Sequence, residues 1–351
     1  MRIVVVGATG NVGTSLVGAL ADDPGVRSVL GVARRRPELE LPKTEWAEAD
    51  IRSDDLVPLF RGADAVVHLA WMIQPSHDLS ALWRTNVEGS TRLFRAVGDA
   101  GVPALVYASS VGAYSAGPKD QAVREDWPTN GIQTSFYSRH KAEVERRLDR
   151  FERERSAVRV VRLRPALIFK REAAAGIRRL FAGPFLVNPL LRPSLIPVVP
   201  RIPNLRFQAV HSYDVGEAYR LAATGDVRGA FNIAADPVLD PDELGKILGA
   251  RPVPVPAGLA RRLTTLSWRL HLQPTPPGWL DLALRVPILD TTRARDELGW
   301  RPSRSAADAL LDLLAGLREG EGEETPPLDP EKTGPVRAEE LATGVGETEK
   351  P

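Results

Sequence analysis

Tyr137 and Lys141 stand at positions i and i+4 of the run Tyr137-Ser138-Arg139-His140-Lys141. On a helix two such side chains share one face, a turn apart. A free phenol titrates near pH ~10 and is a sluggish proton donor at neutrality. A neighbouring ammonium favours the phenolate and lowers that value. A shift of about three units corresponds to roughly 4 kcal/mol, enough to give a phenol that exchanges protons near pH ~7. Taken alone, the spacing is more often a surface tyrosine beside a solvated lysine. Upstream, Tyr107-Ala108-Ser109-Ser110-Val111-Gly112 ends an apolar run in two hydroxyls, either of which could hold a substrate oxygen. The bland role for Ser109 is a strand-end hydroxyl satisfied by backbone.

These side chains need a scaffold, and the first residues begin it. Ile3-Val4-Val5-Val6 is a β-branched run suited to a strand buried on both faces of a parallel sheet. It leads into Gly7-Ala8-Thr9-Gly10-Asn11-Val12-Gly13, followed by apolar residues at helical spacing, Val12, Leu16 and Leu20. A helix N-terminus carries unpaired N–H groups and a positive dipole end, so this turn is a phosphate site. The first glycine permits the sharp turn, the second lets backbone approach the phosphate, and the third lets helix pack on strand.

Further strand signals lie at 29–33, 46–49, 65–69, 105–109 and 158–163. Helical patterns lie at 12–21, 55–60, 79–100 and 135–151. The alternation predicts an α/β fold, a doubly wound parallel sheet of Rossmann type, over residues 1–165, with 208–235 returning to it. Ligands of such sheets bind beyond the carboxyl ends of the strands. A short helical pattern lies at 212–223, and residues 166–207 and 236–318 are rich in proline, with short helical patterns at 241–248, 293–298 and 304–317. They read as a smaller C-terminal substrate lobe.

The 351 residues are 43% apolar and contain no cysteine, which excludes disulfides and thiolate metal sites. The five histidines lack metal-ligand spacing, so no metal is expected. No apolar run reaches membrane-spanning length, and the first strand leaves no place for a signal peptide. A cytoplasmic protein without a membrane partner is expected. The arginines form no basic-aromatic stripe, which argues against nucleic acid. Residues 319–351 carry ten Asp/Glu against three Lys/Arg, a charge of −7 that leaves +8 on residues 1–318. This acidic tail has too little apolar surface to offset its ordering entropy and is expected to be disordered. Its removal after Arg318 is expected to change neither stability nor activity.

The ordered set of motifs resembles the extended short-chain dehydrogenase/reductase superfamily, in particular the NAD-dependent epimerase/dehydratase group. The likeness runs from Arg2 to about Pro302. It is carried by the glycine turn, Asp50-Ile51, His68-Leu69-Ala70, Asn86, Ser110, Tyr137/Lys141, Arg164-Pro165, 210–215 and Glu297-Leu298-Gly299-Trp300-Arg301-Pro302. The resemblance implies that Ser110 holds the substrate oxygen and that Tyr137 is the general acid/base. It implies that Lys141 binds the nicotinamide ribose and lowers the Tyr137 pKa. Asn86 would support the proton relay and the helix geometry. Gly7, Thr9, Gly10, Asn11, Val12 and Gly13 would cradle the pyrophosphate. Asp50 and Ile51 would frame the adenine, and Leu69, Ala70 and Pro165 would line the cofactor. In similar proteins helices equivalent to 79–100 and 135–151 form a four-helix interface, so a homodimer is expected.

Departures from the family pattern narrow the chemistry. Sugar-nucleotide members usually carry Asn where this chain has Leu167, and Arg where it has Phe207, with Arg206 one place off. Dehydratases place Asp-Glu after the catalytic hydroxyl, where Val111-Gly112 stands here. The leading expectation is an NAD(P)-dependent oxidoreductase acting on a small carbonyl or secondary alcohol. A nucleotide-sugar epimerase is the alternative, and a non-catalytic dinucleotide sensor the third reading. The second strand ends in Ala33 and then Arg34-Arg35-Arg36, with no carboxylate to accept from a ribose 2′-hydroxyl. Guanidinium suits a 2′-phosphate, so NADP is expected over NAD, through Arg34 and then Arg35. Trp71, Met72, Ile73, Gln74 and Pro75 are expected to shape the pocket. His77 reads as a solvated loop residue, and Trp268, His271 and Trp279 as packing.

Overall fold

The computed structural model describes residues 1–74, 76–182 and 196–329. Pro75, residues 183–195 and the residues beyond Asp329 lie outside the described residues. The strands are β1 (Arg2–Val6), β2 (Ser28–Ala33), β3 (Thr44–Glu48), β4 (Ala65–His68), β5 (Ala104–Ala108), β6 (Ala122–Val123), β7 (Arg159–Pro165), β8 (Leu167–Phe169), β9 (Val198–Arg201), β10 (Phe207–His211), β11 (Gly229–Ile233), β12 (Ala235–Leu239), β13 (Arg251–Pro254) and β14 (Ile288–Leu289). The helices are α1 (Asn11–Asp22), α2 (Val57–Phe60), α3 (Leu79–Trp83), α4 (Ser90–Asp99), α5 (Phe136–Glu154), α6 (Ala174–Ile177), α7 (Ser212–Thr224), α8 (Pro241–Leu248), α9 (Ala257–Arg269), α10 (Gly278–Arg285), α11 (Thr292–Asp296) and α12 (Ala306–Glu319).

Seven strands form one parallel sheet in the order β3-β2-β1-β4-β5-β7-β11. The strand order reverses between β1 and β4, which opens a crevice at their carboxyl ends. One core layer packs α1 and α7 on the sheet through Leu16, Leu20, Ala218 and Tyr219. The other packs α4 and α5 through Leu93, Val97, Val144 and Leu148. β1, β4 and β7 are buried on both faces, which is why β1 and β4 read as largely apolar runs. In β7 the run is broken by two arginines, Arg162 and Arg164, and these are buried too.

Of the segment 208–235, β11 joins the main sheet beside β7, while β10 lies between β8 and β12 in a small second sheet. The helix expected over 79–100 is continuous, but Arg84–Gly89 winds as a π-helix between α3 and α4. Such bulges often mark functional sites, and this one carries Asn86.

The acidic segment departs from expectation from its first residue. Glu319 is the last residue of α12. The Glu323 carboxylate accepts from the Thr14 hydroxyl at 2.8 Å and from the Lys170 ammonium at 2.9 Å. The Thr325 hydroxyl donates to the Thr9 carbonyl at 2.9 Å, and Leu328 is buried beside Gly176. Residues 319–329 are therefore docked across the glycine turn. The cause is charge rather than apolar area: Lys170 is 1% exposed and a buried ammonium requires a counter-charge.

Candidate active site

The glycine turn sits at the crevice. Gly7 has φ +89°, and a Cβ on it would lie 2.6 Å from the Ala70 backbone nitrogen. A Cβ on Gly13 would lie 2.4 Å from the Gly7 carbonyl oxygen. Only glycine lets β1, α1 and the end of β4 converge this closely. Gly10 is the N-cap of α1, and no side chain caps the helix. A Cβ on Gly10 would meet nothing nearer than 3.6 Å. The side-chain oxygen of Asn11 is buried without a partner, while its amide donates to the Ile168 carbonyl at 3.2 Å. An uncapped helix start, open space at Gly10 and an unpaired buried oxygen fit a pyrophosphate and its ribose. Val12 lies half-buried in the first turn. Leu69 continues β4 through its N–H to the Val6 carbonyl, and Pro165 ends β7 in the core.

At the far end of the crevice, Arg34, Arg35 and Arg36 are exposed at the exit of β2. Asp50 is paired with Arg52 at 2.6 Å. Burial pushes the Asp50 carboxyl up, but Arg52 and then the charge of Arg34 hold it below its ordinary value. Ile51 is buried against Gly89. This corner carries several guanidinium groups, and its carboxylate is already engaged by Arg52.

The catalytic candidates meet where β5 ends. Ser110 caps a short 3₁₀ turn, Val111–Ala113, its hydroxyl accepting from the Gly112 N–H at 3.0 Å. Tyr137 lies in the first turn of α5, whose N-cap Ser135 accepts from the Ser138 N–H. A Cβ on Gly112 would lie 2.8 Å from the Tyr137 ring, so glycine there admits the phenol beside Ser110. Burial pushes the Tyr137 phenol up to about 12, and a hydrogen bond from Ser110 works the other way. The expected lowering by Lys141 is not seen. Lys141 points elsewhere: its ammonium donates to the Ala108 carbonyl at 2.7 Å and lies 3.5 Å over the Trp71 ring. It stands 5.8 Å from the Tyr137 ring centre. Burial pushes the Lys141 amine well down, and the Glu145 charge opposes that.

Asn86 is fully buried and does not reach the reacting side chains. Its amide clamps the Met72 backbone, accepting from the N–H and donating to the carbonyl, each at 2.7 Å. It thus fixes the loop that presents Trp71. Gln74 reaches from the same loop to the Leu180 carbonyl at 2.9 Å. Trp279, expected only to pack, stacks on Tyr137 with ring centres 4.7 Å apart, and Phe181 meets it edge-on at 4.9 Å. Trp71 approaches the Tyr137 ring from another side at 5.8 Å. His77 is not solvated: it stacks on Trp268 at 4.2 Å and meets His271 at 4.4 Å.

Sequence reasoning missed the ionic support below the site. Glu145, one turn beyond Lys141, makes a two-pronged pair with Arg164 at 2.8 and 2.6 Å. The Ser109 hydroxyl donates to the same carboxylate, so a charged group and not backbone satisfies it. Arg164 also donates to the Tyr114 hydroxyl at 2.9 Å, and Tyr114 donates to Asn232 at 2.7 Å. The i+4 step from Lys141 to Glu145 was the available signal. The network ties α5 to the carboxyl end of β7 and orients the helix that carries Tyr137 and Lys141.

Among the described residues no cluster could hold a metal ion, and no helix is long and apolar enough to cross a membrane. The uncharacterized protein Rv2047c of Mycobacterium tuberculosis is 27% identical over 322 residues, covering 91% of this chain but only 30% of that protein. This chain therefore spans about a third of that relative's length. The L-arabinose 1-dehydrogenase (NAD(P)+) of Haloferax volcanii is 36% identical over 110 residues, 31% of this chain and 41% of that enzyme. Among solved structures, the UDP-glucose 4-epimerase of Thermotoga maritima with UDP-glucose superposes with a TM-score of 0.67 at 23% identity. It covers 91% of this chain and 99% of that one. The family model for the NAD dependent epimerase/dehydratase family matches residues 3–183. With more than half its length so matched and the site built as described, the chain belongs to the NAD dependent epimerase/dehydratase family.

Proposed function

We propose that the protein is a cytoplasmic NAD(P)-dependent oxidoreductase acting on a small carbonyl or secondary alcohol, with NADP the preferred cofactor. The observation that carries this reading is the apolar wall around the acid/base pair: Trp279 and Trp71 flank the Tyr137 ring, Phe181 backs Trp279, and Ser110 lies beside the phenol. A small, largely apolar substrate suits such walls. A nicotinamide, when bound, would supply or accept the hydride. Ser110 holds the substrate oxygen, and Tyr137 passes a proton to or from it. Burial alone keeps Tyr137 protonated, so it is poised to donate. Lys141 reaches the ribose hydroxyls once its ammonium leaves the Ala108 carbonyl and the Trp71 face. Gly7, Gly10, Gly13, Thr9, Asn11 and Val12 would hold the pyrophosphate, Asp50 and Ile51 would border the adenine, and Arg34 and Arg35 would meet a 2′-phosphate. The partly matched L-arabinose 1-dehydrogenase supports the redox reading.

A nucleotide-sugar epimerase is the second reading. The near full-length likeness to UDP-glucose 4-epimerase favours it, and the same Ser-Tyr-Lys set would serve. One experiment separates the two. The purified protein is given NADPH or NADH with a panel of aldehydes and ketones, and separately NAD with UDP-glucose and UDP-glucuronate. Net loss of reduced nicotinamide with a carbonyl supports the oxidoreductase. Interconversion of a UDP-sugar with no net change in nicotinamide refutes it and selects the epimerase.

A further inference from the structure

Helix α9 leaves an apolar stripe without a partner among the described residues. Leu259, Leu263, Leu266 and Leu270 are 50%, 58%, 57% and 58% exposed. At 3.6 residues per turn they fall within about 60° of one another, a single face along the whole helix. Leu272, just beyond it, is 50% exposed. No residue of α9 is fully buried. The opposite face holds the helix to the body: Trp268 stacks on His77 and donates to the Ser76 hydroxyl at 3.2 Å, and Arg261 pairs with Asp281 at 2.9 Å. The stripe is thus held outward by specific contacts on its back.

The charge beside the stripe identifies what it meets. From Ala257 to Leu280 there is no Asp or Glu, and of the three arginines there Arg261 is taken by Asp281, so the charge beside the stripe is that of Arg262 and Arg269. Arg262 and Arg269 are exposed and lie next to the leucines on one side. Their aliphatic stems can follow the apolar stripe while the guanidinium groups reach outward to phosphate. A second copy applied stripe to stripe would bring these like charges together. An anionic partner with a deformable apolar layer removes that conflict.

We propose that α9 is an interfacial helix that docks the protein on an anionic phospholipid surface. Leucines on one face with arginines at its border is the composition of helices that lie in the headgroup plane. Such docking needs no spanning segment, and it revises the expectation that the protein has no membrane partner. The leucines border a groove that also contains Phe181, one ring from Trp279 and two from Tyr137. A docked α9 therefore brings the apolar side of the catalytic pocket toward the bilayer.

The test is co-sedimentation of the full chain with vesicles of phosphatidylcholine alone or mixed with phosphatidylglycerol. The expected result is binding to the mixed vesicles, at least tenfold weaker binding to neutral ones, and loss as salt is raised. Leu263→Glu/Leu266→Glu should abolish it, and both positions are exposed, so the melting temperature should hold. Arg262→Gln/Arg269→Gln should remove the preference for anionic lipid and leave residual binding. Absence of binding to either vesicle overturns the proposal, as does undiminished binding of the Leu263→Glu/Leu266→Glu variant. Light scattering provides the remaining outcome. If the leucine variant changes a dimer into a monomer while the wild type ignores vesicles, the stripe is a contact between copies and the lipid proposal fails.

Discussion

Removing the Glu145 carboxylate should destabilise the protein more than any other single change at the site. Glu145 is 1% exposed and Arg164 is 5% exposed, and the pair is joined by two hydrogen bonds. Glu145→Ala leaves the Arg164 guanidinium buried with only neutral acceptors, Tyr114 and the Glu125 carbonyl. Breaking one side of such a pair typically costs about 3–5 kcal/mol. At roughly 2–4 °C per kcal/mol for a large domain, the melting temperature should fall by about 6–20 °C. Glu145→Gln keeps the volume and one acceptor and should lose about 1.5–3 kcal/mol, the worth of hydrogen bonds to a charged group. Glu145→Leu/Arg164→Met should recover much of the Glu145→Ala loss, because it removes both charges together. The pH dependence has a definite sign. Burial pushes the Glu145 carboxyl up, but Arg164, Arg162 and Ser109 overcome this and hold it below its ordinary 4.5. A group whose folded pKa is depressed stabilises above its unfolded value and loses that contribution as pH falls through the folded one. The stability gap between wild type and Glu145→Gln should therefore be constant from neutrality down to about pH 5 and narrow below 4.5. Denaturant unfolding followed by circular dichroism measures all of these. A Glu145→Ala loss under about 1 kcal/mol, or a gap that widens in acid, refutes the reasoning.

Arg34→Ala should weaken NADPH binding by about 10- to 100-fold, equivalent to one charge-assisted hydrogen bond, with little effect on NADH in fluorescence titrations. Equal loss for both cofactors would contradict a 2′-phosphate role. Truncation after Arg318 should lower stability by about 2 kcal/mol or more, because it strips Lys170 of Glu323 and removes buried Leu328. An unchanged melting curve would show that residues 319–329 do not hold to the turn. A homodimer joined through α4 and α5 should give twice the chain mass by light scattering at micromolar concentration, and a single chain mass would count against it.

The strands of the sheet and the helices on its two faces were legible because each obeys one period: β-branched runs for β1, β4 and β5, and 3.6-residue spacing for α1, α5 and α7. The glycine turn and the Tyr137/Lys141 pair were legible from residue type at fixed spacing, Ser110 was chosen over Ser109 by the family resemblance, and the structure brings Ser110 and Tyr137 together. Four features escaped. The docking of residues 319–329 depends on a buried lysine at 170, distant in sequence, so composition pointed to disorder. The Glu145–Arg164 pair joins a helix to a strand, and a charge in β7 looks like surface until the sheet closes over it. Helices α9 and α10 were hidden by the prolines around them, and with them the place of Trp279 against the phenol. The direction of Lys141 was missed because family roles describe its reach to a ribose, whereas Trp71 and the Ala108 carbonyl hold it in this structure.

The central claim is that Tyr137 moves the proton in a dinucleotide-dependent reaction. It is tested most directly by comparing wild type with Tyr137→Phe on the best carbonyl substrate of the panel, alongside NADPH titration of both proteins. Turnover should fall by at least about 10²-fold, the usual share of a general acid/base, with NADPH affinity within about twofold of wild type because the phenol does not hold the pyrophosphate. Full turnover by Tyr137→Phe would contradict it.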